Sequence, residues 1–214
     1  MDFHRGRLTG GNAFQTKTLA LTALIAIQAL VAPVAKSETV STPSKAGVVK
    51  IPKGFKALDT VAIDGGMKCV AGVTRDADAM NQRAFVYVED ASKHPVWSTS
   101  LKLRDDWYQN RATKCAGKGA DVFVLVEADT DSHQATSQTF LSVVKLSAAN
   151  GKIETTKNLV VDQATGANSA WVGDNPDGFT IEGEKIVVKG NYFLMSDPDT
   201  RPPFSMTLPT SLDK

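Results

Sequence analysis

Residues Ala120 to Glu127 read Ala-Asp-Val-Phe-Val-Leu-Val-Glu. The run has no period-2 alternation. Five consecutive apolar residues, β-branched or aromatic apart from one leucine, present apolar side chains to both faces of an extended chain. A strand of this kind needs cover on both sides, so it belongs between two neighbouring sheets. It opens the stretch Val122 to Leu146, in which two apolar runs flank a polar segment. That segment, Ala128 to Gln138, has no apolar residue larger than Ala. It is longer than a hairpin needs and is expected to project as a loop.

Similar grammar surrounds this unit. Asp59 to Asp64, Met67 to Thr74, Ala84 to Glu89 and His94 to Leu103 read as strands separated by Gly65-Gly66, a polar loop over 75–83, and a turn at 90–93. Gln109 to Ala116, Ala120 to Glu127, Thr139 to Ser147 and Lys152 to Val161 form a second set, with Asn150-Gly151 as a hairpin signal. In the third set, Asp174-Asn175-Pro176-Asp177-Gly178 is turn chemistry, and Phe179 to Glu182, Lys185 to Met195 and Phe204 to Leu208 are strands. The expected fold is all-β. Its antiparallel sheets form an incomplete, about three-bladed propeller-like domain, with units near 58–103, 109–161 and 171–208. A two-sheet β-sandwich is the alternative.

Ahead of this domain, residues 1–37 read as a secretory signal peptide. Arg5, Arg7 and Lys17 precede an uncharged apolar run from Leu19 to Val34, and Ala35-Lys36-Ser37 has a small-x-small cleavage pattern. Residues 38–57 read as an extended arm, with a short strand at Gly47 to Ile51. Export to the periplasm is the expectation, with no stable membrane insertion after cleavage. Losing the leader removes four basic residues and one acidic residue, which turns the formal charge of +1 into −2. No field steers nucleic acid to the whole protein. In an exported chain the two cysteines, Cys69 and Cys115, are expected to pair.

No catalytic constellation stands out. His94 and His133 are the only histidines after residue 37, G-x-S-x-G is absent, and no phosphate or dinucleotide loop occurs. Asp-x-Asp pairs at 76/78, 129/131 and 197/199 suggest calcium, but none continues as a full binding loop, and aspartate is an ordinary turn residue. No metal, cofactor or enzymatic activity is expected. The candidate contacts for a protein partner are Asp129, Asp131, Ser132, His133, Gln134, Ser137 and Gln138 in the long loop. Trp107 and Tyr108, beside Arg104, have the composition of an interface anchor, with packing between sheets as the equal alternative for Trp107. Trp97 and Trp171 are read mostly as core.

The combination of an exported chain, an all-β domain of three blade-like units, one disulfide and no catalytic constellation resembles the periplasmic immunity proteins that guard against type VI secretion peptidoglycan amidases of the small papain-like kind. The resemblance covers Leu58 to Leu208 at the level of organisation. It implies an incomplete propeller that inserts a serine-bearing loop into the amidase cleft near the catalytic Cys and His. Ser132 and Ser137 are the serines that match, with Ser169 in Gly166-Ala167-Asn168-Ser169 as a second possibility. A non-catalytic scaffold module of an envelope complex is the alternative function.

Overall fold

Valine, isoleucine, phenylalanine and threonine dominate the runs that become strands, and glycine, aspartate and asparagine the breaks between them. The computed structural model describes residues 49–130 and 137–213. The signal-peptide reading and most of the arm lie outside them. The described residues belong to one compact unit. They form twelve strands in three antiparallel sheets, with two short 3-10 turns at Asp64–Gly66 and Pro176–Gly178. No helix among them is long and apolar enough to cross a membrane.

The first sheet is a meander of β1 (Lys56–Ile63), β2 (Met67–Thr74), β3 (Arg83–Glu89) and β4 (Pro95–Ser100). The second repeats that order with β5 (Trp107–Lys118), β6 (Asp121–Thr130), β7 (Thr139–Ser147) and β8 (Ile153–Asn158). The third contains β9 (Asn168–Trp171), β10 (Phe179–Glu182), β11 (Lys185–Leu194) and β12 (Pro203–Pro209). Here β9 and β10 lie along one edge of β11, pairing with its later and earlier halves, while β12 takes the other edge. The third sheet is therefore three strands wide, with one edge interrupted by the turn at Pro176–Gly178. Three sheets, not two, exclude the two-sheet sandwich.

The second sheet lies between the other two, and β6 shows why its sequence has no alternation. Val122, Val124 and Val126 pack into a cluster with Cys69, Ala71, Val86 and Val88 of the first sheet. Phe123 and Leu125 point the other way, into a cluster with Ile186, Val188 and Phe204 of the third. By contrast β12 alternates, with Phe204, Met206 and Leu208 less exposed than Ser205 and Thr207 between them. One of its faces is covered and the other is wet.

Polar ties fix the stack. The Asn110 side chain accepts from the Ala84 N–H at 2.8 Å and donates to the Leu101 carbonyl at 3.2 Å. Trp97 Nε1 donates to the Ala148 carbonyl at 2.7 Å, which makes this tryptophan a core residue with its polar end satisfied. Cys69 on β2 and Cys115 on β5 form a buried disulfide between the first and second sheets, Cα atoms 6.4 Å apart. Closing a span of 46 residues is worth about 4 kcal/mol in the chain-entropy description. Cys69→Ala/Cys115→Ala is expected to lose that much in urea unfolding, and reduction of the wild type should reproduce most of it. A loss below about 1 kcal/mol would show that packing alone holds the two sheets.

Gly47 to Ile51 was expected to carry a short strand, but no described residue of that span is in one. Phe55, just ahead of β1, instead covers part of the outward face of the first sheet. The Phe55 ring packs edge-on against Phe85 and Tyr87, each at 5.5 Å between ring centres. Pro52 supplies no N–H for a ladder, and the Phe55 N–H donates to its carbonyl, so the chain turns here. Gly72 lies directly beneath the ring, where any side chain would collide with Phe55. Burial of this face is also what chiefly raises the Tyr87 pKa, with the Glu89 charge adding to it.

Candidate protein-binding site

The loop end of the second sheet carries two different arrangements, one turned inward and one outward. Inward, the antiparallel register sets Arg111 opposite Glu127 and Gln109 opposite Asp129, while β7 brings Thr139 opposite Asp129. Cross-strand partners share a face, so these side chains converge. Asp129 accepts from Arg111 Nη1 at 2.6 Å and Nη2 at 3.1 Å, from Gln109 Nε2 at 2.8 Å and from Thr139 Oγ1 at 2.8 Å. Glu127, 4% exposed, accepts from the Val172 N–H at 3.0 Å and lies 3.4 Å from Arg111 Nη2. The cluster thereby ties the third sheet to the second.

Burial alone would push the Asp129 carboxyl up. The Arg111 hydrogen bond and charge, followed by Gln109 and Thr139, outweigh it and hold Asp129 below the usual carboxylate value. Burial would likewise pull Arg111 down, but its hydrogen bond to Asp129 and the charges of Asp129 and Glu127 keep it above the ordinary arginine value.

Outward, the chain enters β5 through Arg104-Asp105-Asp106, a turn closed by the Trp107 N–H donating to the Arg104 carbonyl at 3.1 Å. Arg104 donates to both carboxylate oxygens of Asp106, at 2.9 and 3.1 Å, and its Cζ lies 4.8 Å from the Trp107 ring centre. Trp107 stacks on Phe140 of β7 with ring centres 5.3 Å apart and planes 22° from parallel. Phe140 is 37% exposed and Val160 is 74% exposed. Trp107, Phe140, Leu159 and Val160 line an open groove of about 480 Å³, with Thr130, Gln138 and Asn168 supplying polar rim groups. The register steps from Trp107 opposite Thr130 to Gln109 opposite Asp129, which leaves Tyr108 as the extra residue of a β-bulge. A bulge re-aims side chains at the end of a strand. Tyr108 OH is directed to the Met80 sulfur at 3.8 Å, away from the groove.

The sequence-derived candidates divide accordingly. Asp131, Ser132, His133 and Gln134 lie outside the described residues. Asp129 is in β6, not in the loop, and its carboxylate serves the internal cluster. Ser137 Oγ donates to the Thr130 carbonyl at 2.5 Å. Gln138 closes the loop base, its carbonyl accepting from the Thr130 N–H and its N–H donating to Thr130 Oγ1, while its side-chain amide donates to the Asn168 carbonyl at 2.9 Å. Ser169 is buried, its Oγ accepting from the Thr139 N–H at 2.9 Å. Trp107 is half-buried at the groove, and Tyr108 lies on the far side of the bulge. Trp171, read mostly as core, is half-buried as well, against Phe193 at 6.0 Å with Arg201 above it.

Sequence reasoning passed over Phe140 and Val160. In Thr139-Phe140-Leu141 two adjacent large apolar residues must face opposite sides of a strand, so one of them had to point outward or into another layer. That was the available signal. Asp76 and Asp78 act as turn residues, accepting from Asn81 Nδ2 at 2.6 Å and the Met80 N–H at 3.3 Å. Among the described residues no group of three or more His, Cys, Asp or Glu side chains is close enough to hold a metal ion. Comparison with protein-family models and with curated protein sequences finds no match to this chain.

Proposed function

We propose that the chain is an exported binding protein that neutralises a cell-wall-degrading enzyme, a papain-like peptidoglycan amidase, by docking the loop end of its second sheet over the enzyme's cleft. The observation that carries this reading is the partly exposed Trp107–Phe140 stack with Arg104 above it, held on a sheet packed on both faces and next to Thr130 at the end of β6 and Gln138 just ahead of β7. Aromatic residues and arginine at the centre of a rigid surface are the usual energetic anchors of protein interfaces. The three successive four-stranded sheets are read as blades of an incomplete propeller, and the disulfide is compatible with an oxidising compartment.

In this reading the described serines of the loop region, Ser137 and Ser169, hold the loop base and the third sheet in place. The aromatic stack supplies the contact, together with whatever residues 131–136 add. The test is inhibition of purified papain-like peptidoglycan amidases, any encoded beside this gene first among them, by the purified chain. One-to-one inhibition is expected, and Trp107→Ala should weaken binding by about 2 kcal/mol or more, beyond the roughly 1 kcal/mol of folding stability lost with the Phe140 stack, which urea unfolding reads separately. Unimpaired binding by Trp107→Ala would remove the site, and absence of inhibition would remove the function.

A further inference from the structure

Next to the groove is a second hollow, open and about 520 Å³, which shares Arg104 and Trp107 with it. Arg83 and Lys102 also line it, with Thr74, Ser100 and Asp105. Asp106 already holds Arg104. Arg83 is fixed by donating to the carbonyls of Gln82 at 2.8 Å and Tyr108 at 3.1 Å, and Lys102 is exposed. Among the described residues neither Arg83 nor Lys102 is in an ion pair. With Arg104 held by Asp106, Arg83 and Lys102 outweigh the single carboxylate of Asp105, so apolar and net-cationic surfaces run together across the Arg104–Trp107 junction.

On the groove side, the backbone N–H and carbonyl of Val160 make no hydrogen bond to any described residue, while the neighbouring Leu159 N–H is bonded to Leu141. Val160 thus offers a main-chain donor and acceptor beside an apolar trough, which suits an extended peptide.

We infer that this double surface binds an extended acidic–apolar segment of a protein partner, an apolar side chain entering the groove between Phe140 and Val160 and carboxylates meeting Arg83 and Lys102. The inference rests on the protein-binding part of the function proposed above, and it specifies the chemistry of what is bound. Opposite charge at the rim mainly speeds association and sets its salt dependence, whereas the apolar groove sets residence time.

The test is selection of a phage-displayed random dodecapeptide library on the full chain, followed by titration of the enriched peptides as synthetic compounds. Enriched sequences are expected to place two or more Asp or Glu within a few residues of a large apolar residue. Val160→Arg should weaken the peptide at least tenfold. Arg83→Glu/Lys102→Glu should weaken it by a similar factor and abolish the loss of affinity seen on raising salt. Val160 and Lys102 are exposed, so their variants should melt like wild type, whereas Arg83→Glu gives up the hydrogen bonds to the Gln82 and Tyr108 carbonyls. Lys102→Glu alone replaces the double variant, and Val160→Ser replaces Val160→Arg, wherever a melt falls.

Failure to enrich peptides over the Val160→Arg protein would overturn the inference, as would enriched sequences without carboxylates. Displacement of the peptide by millimolar phosphate would also do so, by reducing the hollow to a simple anion site. Peptide binding without inhibition of any amidase would sink the proposed target alone. An amidase bound equally well by the Val160 and Arg83/Lys102 variants would sink this inference alone.

Discussion

Arg111→Ala is expected to destabilise the protein by about 3–5 kcal/mol at neutral pH, the cost of leaving buried carboxylates without their cation. Two such groups depend on Arg111. Asp129 loses both guanidinium bonds, and Glu127 keeps only the Val172 N–H and a long contact from Thr113. The pH dependence distinguishes this from a simple loss of packing. In the wild type the Asp129 pKa is depressed by folding, so its contribution is present above the unfolded value of about 3.9 and is lost as pH falls through the lower folded value. In Arg111→Ala burial acts without the opposing charge, and protonation relieves the variant while it costs the wild type stability. The difference between the two proteins should therefore begin to shrink above the unfolded value of about 3.9, as the variant takes up its proton, and keep shrinking below it as the wild type loses its own advantage. Urea midpoints measured from pH 7 to pH 3 would show it. A constant gap would mean that the arginine acts through its alkyl stem alone.

Phe123→Ala should cost about 3–5 kcal/mol, the range for removing a fully buried aromatic ring. Phe123 has no exposed surface and lies on the side of β6 that faces the third sheet. Its neighbours Val122 and Val124 face the first sheet, so the substitution opens a cavity on one side of the second sheet and leaves the other intact. The expected signature is increased amide exchange in β11 and β12, with β2 and β3 unchanged. Equal loosening of the first and third sheets would contradict independent packing of the two faces of β6.

The fold was legible where one strand's own residues determine its surroundings. The two-faced run of β6 announces a central layer, and Met67–Thr74 and Thr139–Ser147 are strands with the limits their sequences suggest. β9 was not legible, because Asn168-Ser169-Ala170-Trp171 has little strand character of its own. Pairing with β11, the bond from Thr139 to Ser169 and the neighbouring tie from Val172 to Glu127 hold it in place.

Asp129 was placed in the loop because, with Asp131, it looks like turn chemistry. Its partners are Arg111, 18 residues earlier, and Thr139, 10 residues later, and only the register of three strands brings them together. The candidate site was half legible. Trp107 beside Arg104 was visible in the chain. Phe140 was hidden because a residue in an apolar strand is assigned inward by default, and Val160 because the run Leu159-Val160-Val161 reads as core.

The most direct measurement of where a partner binds is hydrogen–deuterium exchange of the chain alone and in complex with an amidase that it is found to inhibit, the partner proposed above. Docking at the loop end of the second sheet predicts protection concentrated in residues 103–109, 130–141 and 158–161, with little change elsewhere. Protection confined to the outward faces of the first or third sheets, around Phe55 and Tyr87 or around Thr180 and Thr207, would contradict it.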